Sequence, residues 1–251
     1  MRRVICALIP FLTFFVLSSR RGLAADFSVN PIKLFFDARQ KTNVVTVKNN
    51  SPDKLTLQIT IYQWSQDAET KDVFSPTSDI IAFPKILTIE KDRERLIRVG
   101  TRVPPGAFEK TYRIYLEEIP QPQKEPPTET TLRTVMKVGL PVFIEPVKAE
   151  AQGKITGAGA EKGELSFSIE NSGNIHFLIR GINVSGADAS GAAVFQTEMA
   201  GWYLHAGRSK KFSFNIPEDI CGKIDSLKID VSTDRLSLTE RINAPAQMCP
   251  Q

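Results

Sequence analysis

The chain has 251 residues and a formal net charge of +4, from 32 Lys and Arg against 28 Asp and Glu. The first 25 positions hold no acidic residue and four basic ones, so the remainder is formally neutral; the four are Arg2, Arg3, Arg20 and Arg21. A neutral chain lacks the basic excess that is typical of nucleic-acid-binding proteins, and we expect no nucleic acid as a partner.

Residues 1–25 have the pattern of a secretion signal. A basic start is followed by an almost wholly apolar run over residues 4–17, which is short for crossing a bilayer, and then by small residues. We predict cleavage after Ala24 or Ala25 and an exported mature chain that does not insert into a membrane. A retained membrane anchor is the alternative.

The rest of the chain consists of short runs in which apolar residues alternate, separated by Asn, Ser, Gly, Asp and Pro. Helix patterns are nearly absent, and this composition predicts an all-β sandwich. The expected strands of the first half are 27–36, 43–49, 55–65, 86–90, 96–99, 112–119 and a long run after Thr131. Those of the second half are 153–156, 164–170, 176–184, 211–216, 226–231 and 236–242.

A weak internal repeat divides these strands into two sets. Residues 47–59 (VKNNSPDKLTLQI) are similar to residues 168–180 (SIENSGNIHFLIR), and both read as strand, turn and strand. We therefore predict two tandem sandwich domains, over residues 26–147 and 148–251.

The segment 119–146 is the most unusual part of the chain. It begins as a loop rich in Pro, Gln, Glu and Thr and continues as a run with apolar residues at every second position. Pro141 cannot donate a ladder hydrogen bond, which favours a sheet edge. A long apolar edge strand is an aggregation hazard unless it serves to pair with another chain, so the pattern indicates a binding element.

Two cysteines remain once Cys6 leaves with the signal. Folding the strands 226–231 and 236–242 about the turn between them brings residue 231 opposite about 238, and Cys221 close to Cys249. This register predicts a disulfide, as expected in an oxidising compartment. Two free thiols are the alternative.

The patterns of enzyme active sites are missing from the sequence. His176 and His205 begin no metal-ligand spacing, and there is no phosphate-binding glycine loop or nucleophile-elbow serine. Glu117 and Glu118 are neighbours on a predicted strand, so their side chains point to opposite faces. We expect a protein that is not an enzyme and uses no cofactor or metal.

Several motifs occur in the order found in one known family. They are Lys33-Leu34-Phe35-Phe36-Asp37, Tyr62-Gln63-Trp64, Phe83-Pro84, Leu96-Ile97-Arg98-Val99, residues 112–120 (YRIYLEEIP), Asn171-Ser172-Gly173-Asn174 and Gly201-Trp202-Tyr203-Leu204. Together they resemble the periplasmic pilus-assembly chaperones of the chaperone–usher pathway, and residues 139–143 (GLPVF) are closest to the archaic branch. The resemblance implies two immunoglobulin-like domains, a periplasmic location, a pilus or fimbrial subunit as client and an outer-membrane usher as second partner.

The resemblance also implies a mechanism for the long strand. A pilus subunit is a sandwich that lacks its last strand, and the chaperone would lend its own strand to complete it. The donated face would be Leu132, Thr134, Met136, Val138 and Leu140.

One position departs from the better-known members of this family, in which two basic residues grip the C-terminal carboxylate of the subunit. Lys33 matches the first position, whereas Pro141 occupies the second. The candidates for the second basic residue are therefore Arg98, Arg113 and Lys137.

Two other functions are compatible with the sequence. An exported adhesin or carbohydrate-binding module would use Trp64 and Trp202 to stack on sugar rings, although both are simply explained as core or edge anchors. A redox enzyme would use Cys221 and Cys249.

Overall fold

The computed structural model describes residues 26–120, 134–245 and 248–249. The predicted signal peptide, most of the predicted loop and Leu132 lie outside these residues. Within them the chain is almost entirely β-structure, which confirms the predicted all-β class. No helix in the described ranges is long and apolar enough to span a membrane.

Over residues 26–120 and 134–147, the first sandwich contains ten strands in two sheets. They are β1 (Phe27–Asn30), β2 (Leu34–Phe36), β3 (Thr42–Asn49), β4 (Leu55–Gln66), β5 (Asp72–Pro76), β6 (Ile80–Phe83), β7 (Ile86–Ile89), β8 (Glu94–Thr101), β9 (Lys110–Glu118) and β10 (Lys137–Ile144). One sheet has the order β1-β3-β8-β6, and the other has the order β2-β10-β9-β4-β5 with β7 also paired to β4.

The described residues of the second sandwich form eight strands and one short helix. They are β11 (Gly153–Glu161), β12 (Glu164–Asn171), β13 (Phe177–Ala187), β14 (Ala193–Met199), β15 (Tyr203–Leu204), β16 (Ser209–Asn215), α1 (Glu218–Cys221), β17 (Ser226–Thr233) and β18 (Ser237–Asn243). Its sheets have the orders β11-β12-β16 and β14-β13-β17-β18, and β15 pairs with β13.

Each sandwich buries its own apolar core. In β3 and β8 every second side chain points inward, so Val45, Val47, Ile97 and Val99 are buried while their neighbours face outward. The second core is built in the same way around Phe167 and the strands that face it. The predicted boundary at residues 147–148 falls between the end of β10 and the start of β11.

The hairpin of β17 and β18 has the predicted register. Val231 pairs with Leu238, and the Cys221–Cys249 disulfide is formed with the two Cα atoms 5.7 Å apart. The predicted pairing of the two cysteines is therefore confirmed.

Two predicted strands differ most from the observed ones, and β5, β6, β14 and β15 lie outside every predicted range. The run 27–36 is two strands in different sheets, because the chain leaves the first sheet at Pro31 and Ile32 and enters the second at Leu34. The long run after Thr131 is a strand only over Lys137–Ile144, with Thr134 to Met136 outside it.

Candidate functional site

Strand β10 is paired on both sides along only part of its length. Its last three residues lie between β9 and β2, where Val142 pairs with Leu34 and Ile144 with Phe36 in parallel register. From Lys137 to Pro141, β10 pairs with β9 alone among the strands that the structure describes. We call this unpaired backbone edge of residues 137–141 the free rim.

The apolar face of β10 continues beyond the core of its own domain. Val142 and Ile144 are fully buried, and Leu140 is 2% exposed within the same core. Val138 is half-buried at the edge of that core, and Met136 is half-buried beyond the end of the strand. The predicted donated face thus divides into Leu140, which the domain itself covers, and the residues from Val138 toward Thr134.

Three neighbouring strands place a cation next to Pro141. On the outer face of the six-stranded sheet, Tyr62 of β4 pairs with Arg113 of β9, and Arg113 pairs with Pro141 of β10. On the far side of Pro141, Lys33 directly precedes β2, whose Leu34 pairs with Val142. Pro141 is therefore flanked by Arg113 on one side and Lys33 on the other.

Arg113 and Lys33 both approach the second domain at Tyr203. The guanidinium carbon of Arg113 lies 4.0 Å from the centroid of the Trp64 ring and 6.0 Å from that of Tyr203, and Lys33 Nζ lies 5.2 Å from the Tyr203 centroid. Arg113 is 8% exposed, and its Nε has no hydrogen-bond partner among the described residues. Burial lowers the pKa of Arg113 from its ordinary value, and Tyr115, Asp72 and Tyr203 oppose this effect.

The other two anchor candidates lie elsewhere. Lys137 Nζ is 3.0 Å from a carboxylate oxygen of Glu117 and 4.8 Å from the ring centroid of Tyr115, and its hydrogen bond with Glu117 raises its pKa. Arg98 is on the outer face of the four-stranded sheet, between Val44 and Phe83 in the pairing register. Of the four predicted cations, the structure therefore brings together Lys33 and Arg113.

A cluster of aromatic rings joins the two sandwiches behind this pair of cations. Phe143 of β10 stacks on His176 at 3.8 Å between centroids, and Trp64 meets Tyr203 at 5.1 Å and His205 at 4.3 Å. The rings hold the second domain against the outer face of the six-stranded sheet. Sequence reasoning missed this role of the two histidines, since nothing in local spacing links them to β4 or β10.

The structure also locates the tryptophans and cysteines that were considered for the two other functions. Trp64 is 1% exposed between the domains, so neither face of its ring is open to a sugar. Trp202 is 46% exposed, and its Nε1 donates to Asp72 Oδ2 at 3.0 Å. Cys221 is fully buried in the core of the second sandwich and bonded to Cys249.

The outer face of the four-stranded sheet carries a second exposed feature. Val44, Ile81 and Phe83, the last 75% exposed, line a groove of about 650 Å³ on β3, β8 and β6. The basic residues at this groove are Lys85, Arg98 and Arg102, and no acidic residue lines it. We call this surface the β3-β8-β6 patch. Its one signal in the sequence is the run IIAF over residues 80–83, in which alternation must send two apolar side chains outward.

Comparison with known proteins places this geometry in a family. The model of the pili and flagellar-assembly chaperone PapD N-terminal domain matches residues 26–150. A search of the curated proteins found no match.

Solved structures match almost the whole chain at low identity. One is the CsuC–CsuE chaperone–tip adhesion subunit pre-assembly complex from the archaic chaperone–usher Csu pili of Acinetobacter baumannii. The sequence identity is 18% and the TM-score is 0.57, and the match covers 85% of this chain and 98% of that chain. The class 5 fimbriae chaperone CfaA has 14% identity, coverage of 88% and 100%, and a TM-score of 0.57. The Salmonella enterica SafA pilin in complex with the SafB chaperone gives 13% identity, coverage of 86% and 96%, and a TM-score of 0.54. These matches confirm the expected fold of two tandem immunoglobulin-like sandwiches.

Proposed function

The chain belongs to the pili and flagellar-assembly chaperone family, and we propose that it is a periplasmic chaperone that lends the free rim of β10 to a pilus subunit. The subunit would pair its own unpaired edge with residues 137–141 and cover the half-buried side chains of Val138 and Met136. The chaperone would then deliver the subunit to an outer-membrane usher. No nucleotide or cofactor is required for either step.

The proposal depends on the part of β10 that extends beyond the core of its own domain. A strand that is unpaired on one side and still apolar on the core-facing side is incomplete in two ways, in hydrogen bonding and in side-chain burial. A second chain in the adjacent position would satisfy both. The side chains of this face that lie inside the domain are already buried. The donated side chains are therefore Val138 and those before it, and Leu140 lies at the junction.

New side-chain burial and new backbone hydrogen bonds would both stabilise the complex. Full burial of an apolar side chain contributes about 1.5–3 kcal/mol, so half-buried Val138 and Met136 could each add about half of that. Each new backbone hydrogen bond adds about 0.5–1.5 kcal/mol net.

Lys33 and Arg113 would hold the C-terminal carboxylate of the subunit. Both cations lie beside Pro141, at the point where the free rim meets β2, and both face Tyr203 in the cleft between the domains. The buried Nε of Arg113 has no hydrogen-bond partner within the described part of the chain, and a guanidinium forms strong charge-assisted hydrogen bonds with a carboxylate. Arg113 would therefore take over, from the neighbouring strand, the role of the basic residue that Pro141 replaces.

The usher would contact the β3-β8-β6 patch. A subunit on the free rim lies beside the six-stranded sheet and leaves the outer face of the other sheet uncovered. An apolar groove with three basic residues and no acidic one fits an apolar segment that carries a carboxylate.

Co-expression with a small exported β-subunit tests the proposal. We expect a soluble one-to-one complex that survives purification, and we expect Met136→Asp to abolish it because the new charge would enter the groove of the subunit. Val135→Asp is the matched control, since this neighbouring side chain is 46% exposed. Equal losses in both variants, or a complex that tolerates Met136→Asp, would contradict the proposal.

A further inference from the structure

Two side chains of the first domain fasten the second domain through its backbone. Gln66 is 2% exposed; its Nε2 donates to the carbonyl of Tyr203 at 2.8 Å, and its Oε1 accepts from the amide of His205 at 3.0 Å. Glu109 accepts from the amide of His176 at 3.0 Å, and the same oxygen lies 2.6 Å from His176 Nδ1. The domain interface is therefore closed by buried polar contacts as well as by aromatic rings.

The two histidines of this interface are buried with one nitrogen each lacking a partner. Among the described residues, neither His176 Nε2 nor His205 Nε2 has a hydrogen bond, and the second carboxylate oxygen of Glu109 also has none. An imidazolium carries two N–H donors, so a proton added to His205 would leave a buried charged donor unsatisfied. The neutral ring, in contrast, packs edge-on against Trp64 without such a cost.

The charges around His205 come from every element packed against it. Burial is the main cause that lowers its pKa to about 3; His176, Arg113 and Arg208 act in the same direction, and Asp72 of β5 opposes them. Glu109 and Lys110 line the same small pocket between the domains. Together these groups and the burial keep His205 neutral while the interface is closed.

We propose that the domain interface is a latch that acid releases through His205, while each sandwich stays folded. With the domains apart, His205 reaches water and regains its ordinary affinity for protons, near pH 6.5. Below that pH the open form binds a proton that the closed form excludes until about pH 3, so the preference for the closed form declines steadily as the pH falls between these values. This inference depends on the geometry of the interface and not on client binding.

The size of the effect follows from the two proton affinities. At pH 7.5 both forms leave His205 neutral, whereas at pH 5 the open form is almost fully protonated and the closed form is not. The ratio of open to closed molecules should therefore rise about 30-fold between these pH values.

Hydrogen exchange of single amides, followed by NMR, tests the latch. The amides of His176 and His205 both donate across the interface and report its opening, whereas those of Leu116 and Ile169 lie within the two cores. After correction for intrinsic exchange rates, we expect protection of the two interface amides to fall about 30-fold from pH 7.5 to pH 5, with the two core amides unchanged. His205→Phe keeps a ring against Trp64 and the backbone bond to Gln66, and it should remove most of this fall.

Several outcomes would overturn the latch. They are an equal fall in His205→Phe, no fall in the native protein, and a simultaneous fall at Leu116 and Ile169, which would indicate global unfolding. If His205→Phe does not fold, the same exchange comparison is made with His205→Gln, which also removes the titrating ring and keeps the backbone bond to Gln66. An undiminished fall in that variant would equally contradict the proposal.

Discussion

Replacing Arg113 distinguishes its effect on the stability of the free protein from its effect on binding of the subunit. Arg113→Met replaces the guanidinium that lies over the Trp64 ring by an apolar side chain of similar length and removes a buried charge. Removing the buried cation ends its desolvation cost and also its contact with the Trp64 ring, so the free energy of unfolding of the free protein should change by less than about 2 kcal/mol. Binding of the subunit should weaken, because a hydrogen bond to a charged group contributes about 1.5–3 kcal/mol, or roughly 10- to 150-fold in Kd.

A double-mutant cycle identifies the group on the subunit that Arg113 binds. The dissociation constants of native and Arg113→Met protein are measured for a subunit with a free C-terminal carboxylate and for one with a C-terminal amide. We expect amidation to weaken binding to the native protein and to have little effect on binding to the variant. Arg98→Met is the matched control, because Arg98 lies on the other sheet, and it should show no coupling. Additive effects of Arg113→Met and amidation would refute this role for Arg113.

Three further substitutions test the packing that positions the site. Phe143→Ala removes a fully buried ring between Trp64, Tyr203 and His176. It should lower the free energy of unfolding, measured by chemical denaturation, by about 3–5 kcal/mol. A loss below about 1 kcal/mol would mean that the rings do not hold the domains together. Replacing Cys221 and Cys249 by Ser should cost about 3.5 kcal/mol of stability and leave client binding intact at low temperature, so lost binding with unchanged stability would argue for a redox role. Burial and the hydrogen bond to Asp79 raise the pKa of Tyr112 well above its ordinary value near 10, so the unfolded chain ionises first and stability should fall as the pH rises above about 10. In Tyr112→Phe this alkaline loss should be smaller, and identical pH profiles of the two proteins would contradict the assignment.

Features that depend on local spacing could be predicted from the sequence. Alternation at every second residue located most strands, and it gave the face that Val138, Leu140, Val142 and Ile144 share in β10. The pairing of Cys221 with Cys249 followed in the same way, because a short turn fixes the register of a hairpin.

Features that depend on contacts between distant segments could not be predicted from the sequence. Gln66 and His205 are separated by 139 positions, and Glu109 and His176 by 67, so no periodic pattern connects them. The choice of Arg113 over the other candidate cations required the register of three strands, which places it opposite Pro141. Alternation also does not say which sheet a strand joins, and for that reason β1 and β2 were predicted as one strand.

The central claim is that the free rim of β10 pairs with a pilus subunit, and hydrogen exchange of the complex tests it most directly. Exchange of the backbone amides is compared with and without subunit at Lys137 and Gly139, whose amides point away from β9, and at β5 (Asp72–Pro76), the opposite edge of the same sheet. We predict strong new protection at Lys137 and Gly139 and none at β5. Protection at β5, or a bound subunit that leaves Lys137 and Gly139 exchanging as in the free protein, would contradict the account.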